Sequence, residues 1–206
     1  MSRIVLNTSE ILKLDRIKRL QLINSIPGVK SINLIASTSK SGINNISLVN
    51  SVSHVGSDPP LMAFINRPNK IVKRDTLNNL IDNPFFTINS VEKEKIKNAH
   101  LTSGKYAANI SEFKSCKLKE HYIDDFPIPF VFSSRVKIGL EVVEKIKIKS
   151  NGSWLIVGLI KVLDVPSSYL SKDKDNSIGS IGLNTYYEVT KLCELKYVRV
   201  DKDLNS

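Results

Sequence analysis

The chain has 206 residues and a formal net charge of +10 at pH 7, with 41% hydrophobic and 24% charged residues. These values are ordinary for a globular protein and suit one large domain with terminal extensions. The two cysteines, Cys116 and Cys193, lie far apart and form no Cys-x-x-Cys motif, which excludes a zinc ribbon or a redox pair and favours a reducing cytoplasm. The longest apolar run is too short to cross a bilayer, and the N-terminus does not read as a signal peptide, so we predict no membrane association.

The positive charge is spread along the chain. No block of five or six like charges occurs, and a nucleic-acid-binding surface would need a concentrated basic face. The three histidines, His54, His100 and His121, lack the spacing of metal ligands, and no Gly-rich dinucleotide fingerprint is present. We therefore predict no metal site and no nucleic-acid partner.

The first half of the chain mixes helical and strand patterns. Apolar residues in 9–23 follow loose helical spacing, which predicts a short amphipathic helix packed on the body of the protein. Short β-prone runs predict strands at 32–36, 46–52, 61–65 and 85–91. Helical spacing returns at 73–82, where Asp75 or Thr76 is a suitable N-cap, and again, more weakly, at 92–104.

The second half is dominated by strands. Residues 136–148 alternate between apolar and charged side chains, which predicts a long strand with one solvated face. Asn151-Gly152 is a strong hairpin turn, after which 154–165 predicts a mostly buried strand and 185–200 further β structure. Many strands and few short α-helices predict a mainly β fold, an antiparallel β-barrel with small helices at its ends.

Two segments could bind a ligand. Residues 50–61 form a polar loop of small residues that a ligand can approach closely, although an ordinary connection between strands has the same composition. Lys73-Arg74-Asp75-Thr76 stands at a predicted helix N-terminus, where free N–H groups and two cations suit a phosphate. A capped surface helix with two solvated cations would look the same.

In this order along the chain, the two segments resemble the flavin reductase-like family of FMN-binding split barrels. Three later segments extend the resemblance, namely residues 98–104, Ser111-Glu112-Phe113 and Pro129-Phe130-Val131. The resemblance covers roughly residues 31–166. It implies a split barrel of Greek-key type and a homodimer with FMN near the subunit interface.

The resemblance also implies roles for individual residues. Ser47, Asn50 and Ser51 are expected beside the flavin ring, and Lys73, Arg74 and Thr76 at the phosphate, with Asp75 structural. Ser103 is expected to complete the site, and Ser37 and Thr38 to reach the phosphate. Leu48 stands where many family members have Thr or Ser, so a ring contact through that side chain is lost.

The function implied is an NAD(P)H-dependent flavin reductase that transfers a hydride to FMN, with NAD(P)H bound transiently over the flavin. No catalytic residue is assigned, because the flavin carries the hydride chemistry itself. An FMN-binding electron-transfer protein without nicotinamide-dependent activity and a basic β-barrel that binds nucleic acid remain open. The predicted organisation is an N-terminal helical extension (1–28), the FMN-binding core (29–166) and a C-terminal extension (167–206) that packs on the barrel or the partner.

Overall fold

The structure is a computed structural model that describes residues 3–68, 75–171 and 177–195. Its strands are β1 (Lys30–Ser31), β2 (Asn33–Thr38), β3 (Asn44–Val49), β4 (Ser53–Ser57), β5 (Pro60–Asn66), β6 (Phe85–Ser90), β7 (Glu120–His121), β8 (Phe130–Val131), β9 (Lys137–Lys147), β10 (Trp154–Asp164), β11 (Ser177–Ile181) and β12 (Thr185–Val189). Its α-helices are α1 (Thr8–Lys13), α2 (Arg16–Ser25), α3 (Asp75–Asp82), α4 (Ile96–Leu101) and α5 (Glu112–Ser115), with 3₁₀ turns at Lys93–Lys95 and Ser167–Leu170. The predicted mainly β fold with a few short helices is confirmed.

Seven strands form one antiparallel sheet in the spatial order β3-β2-β6-β9-β10-β5-β4. The hairpin of β9 and β10 is its longest pairing, and it contains register shifts at Val157/Gly158 and Ile160/Val162. Within the described residues, the edge strands β3 and β4 do not pair with each other, so the sheet stays open. A small sheet of β1, β11 and β12 and the pair β7–β8 complete the β structure.

The sheet is covered by an apolar cluster on each face. Successive side chains of a strand point to opposite sides, so one strand contributes to both clusters. Leu34 of β2 packs into one apolar cluster, with Ile46, Phe113 and Phe130, while its neighbour Ile35 belongs to a second cluster. In the second cluster the rings of Phe64 and Phe86 lie 5.5 Å apart, centroid to centroid. These two cores hold the ends of β3, β5 and α3 in fixed positions, which matters for the site described below.

Several elements differ from the sequence-based predictions. The helix predicted at 9–23 is two helices, because the Asp15 carboxylate accepts hydrogen bonds from the N–H groups of Ile17 and Lys18 and so starts a new helix. The predicted loop 50–61 contains strand β4, which pairs with β5 across the Asp58-Pro59 turn. Strand β11 was not predicted, since its small residues carry little β-propensity.

The N-terminal helices pack less closely on the body of the protein than predicted, because neither α1 nor α2 buries a residue. Ile17, Ile23 and Ile26 are 61%, 44% and 67% exposed. None of the described helices is long and apolar enough to cross a membrane. The three-part division at residues 28 and 166 stays a prediction.

Candidate functional site

A cavity of about 670 Å³ lies where several chain segments end. The end of β3 and the following residues 50–53 form one side, together with the end of β5 and the first turn of α3. Residues 102–106, after α4, form another side, and α2, residues 30–32, Glu112 and the β11–β12 hairpin contribute the rest. A volume of this size is in the range of cofactor and small-molecule sites.

The cavity brings together predicted residues from separate parts of the sequence. Its lining includes Ser47, Asn50, Ser51, Thr76 and Ser103. Ser47 and Thr76 were predicted at opposite parts of the ligand, yet their hydroxyl oxygens lie only 3.2 Å apart. The two therefore belong to one patch of the cavity wall.

Two of the other predicted residues, Ser37 and Thr38, lie elsewhere. Ser37 is completely buried and its hydroxyl accepts a hydrogen bond from Asn79 Nδ2 at 3.0 Å, while the Thr38 hydroxyl donates to Asn44 Oδ1 at 2.7 Å. Neither is among the described residues that line the cavity. Lys73 and Arg74 lie outside the described residues.

Ser51 fastens the loop after β3 to strand β5. Its hydroxyl donates to the carbonyl of Ile65 at 3.2 Å and accepts from the N–H of the same residue at 3.1 Å. Because this hydroxyl already donates its hydrogen and accepts one bond, it has only one lone pair left to offer a ligand. The contact also holds the neighbouring Asn50 at the cavity wall.

A buried polar network joins Thr76 to Asn45 and Glu112, which also line the cavity. Both carboxylate oxygens of Glu112 lie 2.9 Å from Asn45 Nδ2, and Glu112 Oε2 also accepts from the Ile46 N–H at 3.2 Å. The Thr76 hydroxyl donates to Asn45 Oδ1 at 3.0 Å. Glu112, Asn45 and Thr76 are only 5%, 8% and 4% exposed, so the network is almost completely shielded from bulk water.

Burial raises the pKa of the Glu112 carboxyl, and the negative charge of Asp75 acts in the same direction. Hydrogen bonds from the backbone N–H groups of Glu112 and Ile46 and from Asn45 oppose this shift, but desolvation is the larger effect. Asn45 and the role of Glu112 were missed from sequence. The Ser111-Glu112-Phe113 motif marked the segment but not its contact with β3.

The opposite wall is held by more exposed contacts. Ser180, Leu183 and Tyr186 of the β11–β12 hairpin line the cavity. The Tyr186 hydroxyl lies 2.6 Å from His100 Nδ1, and the two rings meet edge to face. An exposed ion pair of 2.7 Å between Lys93 and Glu188 ties the same hairpin to the 3₁₀ turn.

The lining carries both signs of charge. Lys30, Arg67 and Lys105 contribute cations, and Asp75 and Glu112 contribute carboxyl groups. A hydrogen bond to Cys116, together with burial, raises the pKa of Tyr106, also in the lining, to about 12, so this phenol stays neutral at pH 7. Hydroxyls, an amide, cations and apolar side chains such as Leu48 and Val49 suit a ligand with a flat apolar body and an anionic group.

Known proteins resemble this chain in sequence and in fold. The family model described as the flavin reductase-like domain matches residues 29–179, which is most of the chain. A protein of Aquifex aeolicus (strain VF5) with no characterised function is 24% identical over 174 residues, which cover 81% of this chain and 88% of that protein.

Solved structures share the fold. A split-barrel protein of Shewanella frigidimarina, named as a candidate flavin reductase, is 34% identical with a TM-score of 0.88, covering 95% of this chain and 100% of that one. Nitrilotriacetate monooxygenase component B from Bacillus cereus is 17% identical with a TM-score of 0.82, over 95% of this chain and 100% of that one. Pseudomonas fluorescens 2-nitrobenzoate 2-nitroreductase is 19% identical with a TM-score of 0.80, over 95% and 96%. The predicted split barrel is thus confirmed.

Proposed function

The chain belongs to the flavin reductase-like domain family, and on that premise we propose that it binds FMN in the cavity and transfers a hydride to it from NAD(P)H. Family membership implies a flavin as cofactor or substrate. The observation that carries the finer proposal is that Ser47, Asn50, Ser51, Thr76 and Ser103 line one cavity. They come from three separate segments of the sequence.

The ring of FMN is assigned to the side formed by Asn50, Ser51 and the end of β3. Within the described residues, the Asn50 side chain has no hydrogen-bond partner, so its amide is available to the polar edge of the ring. The Ser51 hydroxyl is held by Ile65, which fixes the loop backbone against which the ring would lie. Leu48 and Val49 supply apolar contact on the same side.

The phosphate is assigned to the first turn of α3. Thr76 lies in that turn, and the dipole at a helix N-terminus favours an anion. Lys73 and Arg74 directly precede the helix in sequence and would neutralise a group that carries close to two negative charges. Ser103 is assigned to the completion of this site. Ser37 and Thr38 stay predicted phosphate contacts, although the paired hydroxyl of Ser37 favours a structural role.

The chain's own residues bind and orient the reactants. Bound FMN supplies the hydride-accepting chemistry, so no nucleophile or general base has to be found in the lining. The cations Lys30, Arg67 and Lys105 favour an anionic nucleotide in the same cavity. We propose that NAD(P)H binds there transiently, over the flavin.

The proposed assembly is a cytoplasmic homodimer with FMN near the interface. Helix α2, which contributes Leu20 and Asn24 to the cavity, also exposes Ile17 and Ile23, and Ile26 directly after the helix is exposed as well. A surface of this kind next to a ligand site is favourable for a subunit interface. Light scattering at micromolar protein is expected to give twice the chain mass, whereas a monomer that still binds FMN tightly would contradict this placement.

The test begins with the visible absorption spectrum of the protein after FMN loading and gel filtration. Retained flavin bands that bleach with NAD(P)H would support the reductase, and retained bands that ignore both nucleotides would leave an electron-transfer flavoprotein. A colourless protein that cannot be loaded and binds nucleic acid in a salt-sensitive manner would contradict the flavin proposal.

The phosphate assignment is tested with two ligands. Arg74→Ala and Lys73→Ala are each expected to weaken FMN binding roughly 10- to 100-fold, because a charge-assisted hydrogen bond contributes about 1.5–3 kcal/mol. Riboflavin lacks the phosphate, so its affinity should hardly change. Equal losses for FMN and riboflavin would remove both residues from the phosphate site.

A further inference from the structure

The hydrogen bonds behind Thr76 have a fixed direction. An ionised carboxylate only accepts hydrogen bonds, so with Glu112 charged Asn45 must turn its NH₂ group toward both carboxylate oxygens, each 2.9 Å away. The Asn45 oxygen then faces Thr76. The Thr76 hydroxyl, 3.0 Å from this oxygen, is therefore obliged to donate to it.

This direction decides what the cavity wall offers to a ligand. A threonine hydroxyl has one hydrogen, and here Asn45 receives it. In the 3.2 Å contact between Ser47 and Thr76 the donor must then be Ser47. Both hydroxyls line the cavity, yet with Glu112 ionised they present only lone pairs there. An ionised phosphate, which also only accepts, gains no hydrogen bond from either.

Protonation of Glu112 reverses the direction of the hydrogen bonds from Glu112 through Asn45 to Thr76. The carboxylic acid can donate to the Asn45 oxygen if the amide turns over, and its second oxygen keeps the bond from the Ile46 N–H, which lies 3.2 Å from Oε2. The two ends of an amide are nearly equal in shape, so packing is preserved. The Asn45 NH₂ group then donates to Thr76, and the Thr76 hydrogen becomes free for a ligand.

We propose that Glu112, acting through Asn45, switches Thr76 between hydrogen-bond acceptor and donor, so that binding of a flavin phosphate is coupled to the uptake of one proton by Glu112. This inference rests on the proposed function, because the phosphate concerned is that of FMN. Glu112 also lines the cavity, but in this coupling it is a positioning residue, because its effect on the phosphate passes through Asn45 and Thr76.

The groups around Glu112 support this coupling. In the described part of the chain, the titratable groups that interact with it are Asp75 on α3, Tyr106 in the 102–111 segment and Cys116 at the end of α5. Burial raises the pKa of Glu112, and the charge of Asp75 raises it further. Tyr106 has a pKa of about 12, and burial raises the pKa of the Cys116 thiol, so both stay protonated near neutral pH. A phosphate bound nearby would add negative charge and favour neutral Glu112 still more.

Calorimetric titration of the full chain with FMN tests the proposal. Each titration is run in two buffers of different ionisation enthalpy, from about pH 6 to about pH 9, to count protons. We expect uptake approaching one proton with FMN and almost none with riboflavin. The FMN affinity should fall by up to about tenfold per pH unit where the uptake is largest.

Glu112→Gln is the matched variant, because its NH₂ group donates to Asn45 as the neutral acid would, while its oxygen accepts from Ile46. This variant should lose the extra proton uptake and bind FMN more tightly than the wild type at high pH. A purely structural role would instead weaken FMN and riboflavin alike. Subtracting the proton uptake of the variant from that of the wild type also cancels the uptake by the phosphate itself, whose second pKa is about 6.

Thr76 supplies an independent pair of variants. Thr76→Val removes the hydroxyl and should abolish the coupling although Glu112 is intact, and Thr76→Ser should keep it. Proton uptake with FMN that is unchanged in Glu112→Gln, or equal uptake with riboflavin, would overturn the coupling and leave the flavin site standing. If the wild type binds neither flavin at any pH, both the coupling and the proposed function are wrong.

Discussion

The two walls of the cavity are built in different ways. On one wall, Glu112, Asn45 and Thr76 are less than a tenth exposed and are joined by hydrogen bonds of 2.9–3.0 Å between three elements that pack on the two cores. On the other wall, the β11–β12 hairpin pairs with β1 and packs Ile178 and Tyr186 on one of the two cores, but its polar side-chain contacts are the His100–Tyr186 contact and an ion pair whose side chains are 65% and 43% exposed. Because exposed polar contacts contribute little, we expect the first wall to be pre-organised and the second to open locally more readily.

The largest effect is expected from the buried wall. Asn45→Ala leaves Glu112 without its amide donor and Thr76 without its acceptor, both away from water. We expect the free energy of unfolding to fall by about 3 kcal/mol, as for a buried charged group that loses its hydrogen bonds. Urea unfolding measures this loss. The control is Asn44→Ala on the same strand, where the side chain is only half-buried and contacts Thr38 and Tyr122, and where a loss of about 1 kcal/mol is expected.

If both variants lose the same stability, the buried network of Glu112, Asn45 and Thr76 stabilises the fold no more than a half-buried side chain on the same strand does. Partial solvation of Glu112 in the unliganded protein would produce that outcome.

The second-largest effect is expected in the pH dependence of the free energy of unfolding. The folded-state pKa of Glu112 is raised above its ordinary value of 4.5, mainly by burial. The folded state therefore binds this proton more tightly than the unfolded state does, and the resulting stability is complete below the ordinary value and is lost as the pH rises through the folded-state pKa. Relative to Glu112→Gln, the wild type should thus become less stable with rising pH.

Urea unfolding of both proteins at a series of pH values measures this difference. Parallel curves would show that Glu112 has the same pKa in the folded and unfolded states, which contradicts its burial.

The smallest effect is expected on the hairpin wall. Tyr186→Phe removes the hydroxyl that contacts His100 but keeps the ring contact. We expect a loss of about 0.5–1 kcal/mol, seen as faster amide hydrogen exchange in β11 and β12 but not in β9 or β10. Lys93→Ala, which removes only the exposed ion pair, is the control and should leave exchange almost unchanged. Faster exchange throughout the main sheet would show that the hairpin is part of the core.

Strand pattern and turn chemistry were readable from sequence because they are local. The alternation in 136–148 and the Asn151-Gly152 turn predicted the β9–β10 hairpin, and the structure has it at Lys137–Lys147 and Trp154–Asp164. The order of short motifs likewise predicted the family, which the comparisons confirm. Strands β4 and β11 were missed because their own residues show only a weak β pattern. Strand β4 pairs with the adjacent β5, and β11 pairs with β1, which is distant in sequence.

The sequence by itself determined the family, the mainly β architecture and five residues that line the cavity, because these depend on local periodicity and on ordered motifs. Only the tertiary structure decided which side chains stand behind them. Asn45 and Glu112 are 67 positions apart, and Ser47 and Thr76 are 29 apart, yet both pairs are within hydrogen-bonding distance. Hydrogen-bond direction and desolvation act over a few ångströms in space, and no local pattern in the sequence encodes such distances between remote segments.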